Sequence, residues 1–570
     1  MKRLLVSFSI LIISFFVNAQ SINRYDVVIS EIMADPSPSA GLPNSEWIEL
    51  TNVSASPFNL EGWRIADASG QSGAMPNYIL QPDSMVIICT NSAAPALSLF
   101  GAVLPVTSFP SLDNDGELVY VKTENNLVMH AIEYKISWYK NELKKEGGWS
   151  LEMIDPKDPC AGISNWKASM DNNGGTPGTI NSVNSTSNDH SMPSLLSGYT
   201  IDNATAILVF DDGVDSASSV QVSNYQVDNG LTITEVVALE PLFNKIQLRF
   251  NQPMEPEKIY HITVTNIRNC SGQTIPPQNK VRVGIKEEIG KMDLVVNEIL
   301  FNPRSSGNDF VEFFNRGKKI VDAADLFIAN RNSSGAISSA RPLSKEPFLI
   351  FPRDYFVATT DLENLKLNYL VQEPTSVFVL PSLPSFPDED GFVLLLNKQG
   401  DVIDEVNYHR SWHFKLIDND EGVSLERIDP DAVSQLSTNW QSAASTAGYG
   451  TPTYINSQFK QSGIIDKAIS VSPKIFSPDN DGQDDFAMIH YVFDEPGYVA
   501  NVTIFDAAGR PIKNLVRNGT LAQQGSWKWD GLNENGQSLP VGNYIIFTEI
   551  FNLQGSTKRF KNVVVLAKRL

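Results

Sequence analysis

Ser150-Leu151-Glu152-Met153-Ile154-Asp155-Pro156, followed by Asn165-Trp166 and by Gly175-Thr176-Pro177-Gly178-Thr179-Ile180-Asn181-Ser182, occurs twice in this chain. It returns as Ser424-Leu425-Glu426-Arg427-Ile428-Asp429-Pro430, Asn439-Trp440 and Gly450-Thr451-Pro452-Thr453-Tyr454-Ile455-Asn456-Ser457. The offset stays at 274 to 275 residues throughout, which marks one domain used twice. The rest of the chain falls before, between or after these two copies.

A chain of 570 residues has room for roughly three to five domains at about 100–200 residues each. Its first residues differ from the rest. Lys2 and Arg3 precede the apolar run Leu4 to Val17, and Val17-Asn18-Ala19 places small or aliphatic residues where a signal peptidase reads, so residues 1–19 are expected to be a secretory leader. The apolar part is too short to span a bilayer, and no cysteine follows it to carry a lipid. Losing Lys2 and Arg3 takes the formal charge from −21 to −23. Such an acidic surface repels phosphate backbones and anionic lipid, which disfavours a nucleic-acid partner. No later stretch reaches eighteen apolar residues, so a soluble, exported mature chain without a transmembrane segment is expected.

Residues 26–182 alternate as strands do: Asp26 to Ile32, Glu46 to Leu50, Met85 to Ile88 and Glu117 to Val121, separated by Gly, Pro, Asn and Asp. The second copy, 292–457, repeats them as Leu294 to Ile299, Phe310 to Asn315, Tyr355 to Val357 and Gly391 to Leu396. No convincing amphipathic helix appears in either. Trp47 becomes Phe310 and Trp63 becomes Leu326, exchanges that keep bulk and discard the indole, as core positions do. The fold class expected is all-β, a tandem array of Ig-like β-sandwiches.

The opening strand with Ser30-Glu31-Ile32 or Asn297-Glu298-Ile299, the strand Trp47 to Asn52 or Phe310 to Asn315, and the Asn-Trp to Gly-Thr-Pro to Asn-Ser ending together resemble the lamin tail domain of exported bacterial proteins. The resemblance covers about 320 residues in the two copies. It implies an Ig-like sandwich serving as an interaction or spacer module, with no catalytic residues to carry over. Residues 183–198 read as a polar linker, and 199–287 resemble the bacterial Ig-like modules of surface and S-layer proteins through Val209 to Asp215, Leu248 to Met254, Tyr260 to Val264 and Asn269 to Gly272. Residues 468–570 resemble both the Ig-like domain of flagellar hook-capping proteins and the C-terminal sorting domains of type IX secretion cargo in Bacteroidota. The motifs are Phe476 to Gly482, Ile504 to Gly509, Trp529-Asp530-Gly531 and Leu539 to Tyr544. In the sorting reading this terminus is an export address, and the resemblance implies an extracellular or outer-membrane location in a Gram-negative bacterium.

Cys89 ends an apolar run and is expected to be a buried thiol. Cys160 is Ser434 in the second copy, and no domain like the one carrying Cys270 follows that copy, so both cysteines are present where the two domains adjoin. A Cys160 to Cys270 disulfide is expected on this ground, with two unpaired thiols as the alternative. Asp479, Asp481, Asp484 and Asp485 surround a glycine turn and supply the oxygens calcium wants, although the spacing is not that of an EF-hand. The alternative is a turn whose carboxylates cap backbone amides. No other cofactor is expected.

Asp113 to Gly116 and Asp388 to Gly391 read as turns. Glu31, Glu49, Glu298 and Glu312 sit between apolar neighbours and are expected on the polar face, with no second carboxylate beside them. No catalytic residue is therefore expected. His409 and His413 have no counterpart in the first copy, where Lys135 and Tyr139 stand, so zinc is not expected. The paired Trp138, Trp412, Trp166 and Trp440 suit a core better than a sugar platform. The function favoured is a non-enzymatic surface scaffold or adhesion protein with protein partners, and glycans as a lesser prospect. The alternatives are an accessory subunit of an outer-membrane machine and a non-catalytic partner of a secreted hydrolase.

Overall fold

The computed structural model describes residues 22–160, 162–186, 192–276, 279–415, 417, 419–460, 468–479, 484–552 and 555–567. The expected leader, 1–19, lies outside them. The chain divides into two compact units. Of the described residues, one unit holds those up to 196 together with 207–251 and 262–281, and the other holds 197–206, 252–261 and those from 282 onward.

In the first unit, β-branched and aromatic runs form a six-stranded sheet. Its order is Trp166–Ala168, Leu151–Met153, Val27–Met33, Trp47–Asn52, Met85–Thr90, Val103–Val106. Its inner face meets a three-stranded sheet of Arg64–Asp67, Leu118–Lys122 and Val128–Glu133 across a core that includes Ile32, Ile48, Leu50, Trp63, Val86, Ile88, Val119 and Trp166. A sheet of this kind ordinarily leaves its other face wet. Here that face is covered as well. Met33, Trp47, Ile87 and Cys89 pack under the short helix Ala94–Leu97, so the central strands Val27–Met33 and Trp47–Asn52 are buried at every residue.

The second unit repeats this plan. Trp440–Ser442, Leu425–Arg427, Leu294–Leu300, Phe310–Asn315, Tyr355–Thr359 and Val377–Val379 stand in the same order, and the facing sheet gains a strand, Ile337–Pro342. Phe310, Leu300, Val357 and Tyr369 form the covered outer face under the helix Leu362–Asn368. Trp63 and Leu326 are both core residues, as are Trp166 and Trp440.

The same unit ends in a sandwich of a three-stranded sheet, Ala468–Ser472, Ala487–Val492 and Gln524–Trp529, and a five-stranded sheet running Ile475–Phe476, Thr557–Leu566, Gly542–Phe551, Val499–Asp506, Pro511–Thr520. Trp529, Phe476 and Tyr544 fill its core. In the first unit the Ig-like segment pairs Ile233–Leu239 with Lys245–Phe250, and Tyr225–Val227 with residues 262–264. Among the described residues helices are short, the longest being Leu362–Asn368, and the fold is all-β.

The repeated motifs are mostly hydrogen-bonded scaffolding. The amide of Asn165 donates to the carbonyls of Asp155 and Asp158 while its oxygen accepts from the Asp155 N–H, and Asn439 binds Asp429 in the same way. Tyr134 donates to the Asp113 carbonyl and Tyr408 to that of Pro387, which holds each acidic turn against its sheet.

Candidate functional site

The strongest cluster of ionisable groups is one that strand alternation misplaces. In each repeat three glutamates from adjacent strands lie side by side. Glu31 is opposite both Glu49 and Glu152, and Glu298 is opposite both Glu312 and Glu426. All six are fully buried, at 0% exposure. This corrects the expectation that four of them sit on a polar face without a second carboxylate nearby. The reason is twofold. A bulge between Ile29 and Glu31, and between Val296 and Glu298, breaks the two-residue period, so Ser30 and Glu31 turn to the same side. The closing segment of each repeat then lies across that side and excludes water.

That closing segment is the Gly-Thr-Pro to Asn-Ser motif. Glu31 Oε1 accepts from Ser150 Oγ at 2.5 Å and from the Thr176 N–H at 2.8 Å. Glu49 accepts from Ser30 Oγ at 2.8 Å and from the Gly178 N–H at 2.7 Å. Glu152 accepts from Thr176 Oγ1 at 2.9 Å, from Ser182 Oγ at 2.7 Å and from the Val183 N–H at 3.1 Å. Asn181 fastens the segment down by donating to the Ser30 and Met153 carbonyls at 2.9 and 2.8 Å.

The second repeat reproduces every one of these bonds. Ser424, Thr451, Thr453, Ser457 and the Gln458 N–H serve Glu298, Glu312 and Glu426, with Asn297 standing in for Ser30. Asn456 donates to the Asn297 and Arg427 carbonyls. Burial of a polar group is tolerated when its bonds are met, and these are met.

One hydroxyl is shared. Thr451 Oγ1 lies 3.0 Å from Glu298 Oε2 and 2.9 Å from Glu426 Oε1, and a hydroxyl has a single hydrogen to give. The pair is satisfied when one carboxyl keeps its own proton and donates to Oγ1, which in turn donates to the other. Burial and the neighbouring Glu426 charge push Glu298 up to about 8, and burial pushes Glu49 up to about 7. Glu31 and Glu312 are raised as well, by burial and by the adjoining glutamates. Thr451→Val removes the shared hydroxyl and leaves two buried carboxyl oxygens without it. A loss of about 1–3 kcal/mol in the stability of the second repeat is expected in urea unfolding, and an unchanged midpoint would show the hydroxyl to be dispensable.

The pH dependence has a definite sign. A carboxyl whose folded pKa is raised above its ordinary 4.5 adds stability that is fully present below that value and is lost as pH rises through 7 and 8. His130 and His413, pushed down by burial to about 3 and about 4, act oppositely, and their contribution falls away only below the ordinary 6.5. Between pH 6.5 and 8.5 the glutamates act together with Asp309, which burial and the nearby Asp388 push up to about 7. Stability is expected to fall there by up to about 1.4 kcal/mol per pH unit for each proton released, and Glu298→Gln should flatten part of that slope.

Three further positions differ between the copies as a set. In the first, His130 Nδ1 accepts from the Ile29 N–H at 3.1 Å, Met153 lies in the core, and Cys160 forms a disulfide with Cys270 across a Cα–Cα distance of 5.9 Å. In the second, Asp404 accepts from the Val296 N–H at 2.8 Å and from Ser434 Oγ at 2.5 Å, and it faces Arg427 at 3.3 Å. Arg427 also donates to Ser434 Oγ and to the carbonyls of Val296, Asp429 and Ala432. Where one repeat is tied covalently to its neighbour, the other holds a buried ion pair.

The remaining sequence candidates are dispersed. Asp481 lies outside the described residues. Asp479 accepts from Ser477 Oγ, and Asp484, at a φ of 52°, accepts the Ser477 N–H on its carbonyl, so both shape a turn; Asp485 follows them. His409 ends a strand and meets Trp412 edge-on, while His413 bonds Ser442, so the two are not on a common helix face. Trp138 and Trp166 pack at 6.4 Å, and Trp412 and Trp440 at 6.2 Å. Cys89 is buried, and burial pushes its thiol up to about 11. Among the described residues, the one trio of potential metal ligands within 4.8 Å of one another is Asp158, Cys160 and Cys270, and its two sulfurs are spent in the disulfide.

Residues 20–135 match the Lamin Tail Domain family. The chain carries a lamin tail domain. The match stops before the segment that caps the three glutamates, which the structure shows to be integral to the domain. Residues 477–547 match the FlgD Ig-like domain. No curated protein matches the chain.

Among solved structures, the N-terminal part of the bacterial S-layer protein SbsC is 11% identical over 29% of this chain and 45% of that one, at a TM-score of 0.17. PorZ, a surface component of the type-IX secretion system of Porphyromonas gingivalis, is 11% identical over 92% and 74%, also at 0.17. A calcium-stabilised adhesin with which an Antarctic bacterium binds ice is 8% identical over 96% and 100%, at 0.12. The chain thus spans less than half of the SbsC fragment, and likenesses at such scores carry no argument about function.

Proposed function

We propose that this is a non-enzymatic, exported surface protein whose lamin tail repeats act as stiff spacers that present binding surfaces on their loops and sheet edges. The observation that carries this reading is the fate of the recurrent carboxylates. A general acid or base must reach its substrate's proton. Glu31, Glu49, Glu152 and their counterparts Glu298, Glu312 and Glu426 are sealed from solvent and engaged by the chain's own N–H and O–H groups. Their chemistry is spent on holding the fold. The acidic balance of the chain supports protein partners over nucleic acid.

Cell fractionation with crosslinking tests the proposal. A chain released or spread over the cell surface supports scaffold or adhesion. One stoichiometric membrane partner would instead make it an accessory subunit of an outer-membrane machine, and selective binding on a glycan array would favour a partner of a secreted hydrolase. Turnover of any substrate by the purified chain, abolished by changing one of its carboxylates, would overturn all three.

A further inference from the structure

The second repeat and the C-terminal sandwich lie in the same compact unit, and buried and half-buried polar groups pair with one another across the face between them. Gln458 directly follows the capping segment and is fully buried. Its N–H donates to Glu426 Oε2 at 2.7 Å. Its side chain then reaches both ways: Nε2 donates to the Ser442 carbonyl at 3.0 Å and to the Leu521 carbonyl at 3.2 Å, and Oε1 accepts from the Gly497 N–H at 3.0 Å.

Thr520 answers from the other side. Its hydroxyl donates to the Ala443 carbonyl at 2.8 Å and lies 3.1 Å from the Ser445 N–H, and its carbonyl accepts from Ser445 Oγ at 2.9 Å. Thr446 Oγ1 meets the hydroxyl of Tyr491 at 2.8 Å. Ala443, Ala444 and Leu521 have no exposed surface at this seam.

The first repeat shows that this face is an adaptation. Val183 stands where Gln458 does, and Ser169-Met170 where Ala443-Ala444 do, with Met170 61% exposed. The lamin tail plan alone therefore does not require the seam. An address that is clipped off after export would strip the Gln458 side chain of its Leu521 and Gly497 partners and expose two alanines that are buried here.

We infer that the C-terminal Ig-like sandwich is a permanent clamp on the second repeat, retained in the mature protein, which holds the Gln458 end of the capping segment over Glu426. The partner this surface fits is the chain's own last domain. The clamp parallels the Cys160–Cys270 bridge, which fastens the first repeat to the Ig-like segment after it.

The test inserts a site for a specific protease between residues 461 and 467 of the full chain and cuts the folded protein. The C-terminal fragment is expected to co-elute with the remainder on size exclusion at micromolar concentration. In Gln458→Ala/Thr520→Val it should dissociate at least tenfold faster. Free elution of the wild-type fragment, or a double variant that holds it equally well, overturns the clamp. Intact mass of the chain recovered from its native host supplies the second arm: a mature species that keeps the C-terminal peptides supports the inference, and one that lacks residues beyond the cut region refutes it.

Discussion

Asp404→Ala is expected to destabilise the second repeat by about 3–5 kcal/mol, the largest effect of any single substitution considered for this chain. Arg427 has no solvent exposure and Asp404 almost none, so removing the carboxylate strands a guanidinium that cannot reach water. The carbonyls of Val296, Asp429 and Ala432 still accept its hydrogens, but they cannot neutralise the charge, and burial already pulls the Arg427 pKa below its ordinary value. The Val296 N–H and Ser434 hydroxyl lose an acceptor in the same step. The first repeat supplies the control. Methionine occupies the place of Arg427 there, so Asp404→Ala/Arg427→Met should recover a large part of the loss, because the buried charge goes with its partner. Urea unfolding of the four members of this cycle measures the coupling. A double variant as unstable as Asp404→Ala would mean that shape, and not charge, decides the site.

Cys160→Ser is expected to cost about 2–4 kcal/mol, toward the upper end because the bridge closes a loop across 110 positions of sequence. The cost belongs to the link between the first repeat and the Ig-like segment carrying Cys270, since the inserted serine finds none of the partners that Ser434 has. His130 replaces Asp404 as its neighbour and Met153 replaces Arg427. Urea unfolding of oxidised wild type and variant gives the difference. Peptide mapping without reductant should recover Cys160 and Cys270 in one linked species. Recovery of two free thiols would remove both the bridge and the predicted loss.

Much of the sandwich was legible in the sequence because its strands are dense in β-branched and aromatic residues and are cut by turn formers. Val27–Met33 and Leu294–Leu300 are plain from their composition alone. The glutamate cluster was not. Reading Glu31 and Glu49 as outward depends on a strict two-residue period and one wet face, and the bulge at Ser30 and the segment over the sheet defeat both assumptions. The signal that would have found it was present, since Glu152 and Glu426 sit inside the repeated motif and each is followed by the same Gly-Thr-Pro to Asn-Ser donors. Acceptors and donors stand as separate motifs in the linear order, and only the fold pairs them. The exchange of His130, Met153 and Cys160 for Asp404, Arg427 and Ser434 was visible only at the cysteine, because the three come from separate strands and turns and no local pattern joins them.

The placement of the capping segment at the very end of each repeat sets an order of events for any chain that emerges N-terminus first, from a ribosome or through a membrane pore. The strands bearing Glu31, Glu49 and Glu152 arrive well before Thr176, Gly178, Ser182 and Val183, the groups that allow their carboxyls to dehydrate. Until those last few residues are delivered, the three carboxyls lack the N–H and O–H partners that they have in the folded repeat. In each repeat the burial of the three glutamates is therefore the last step that the order of the chain allows.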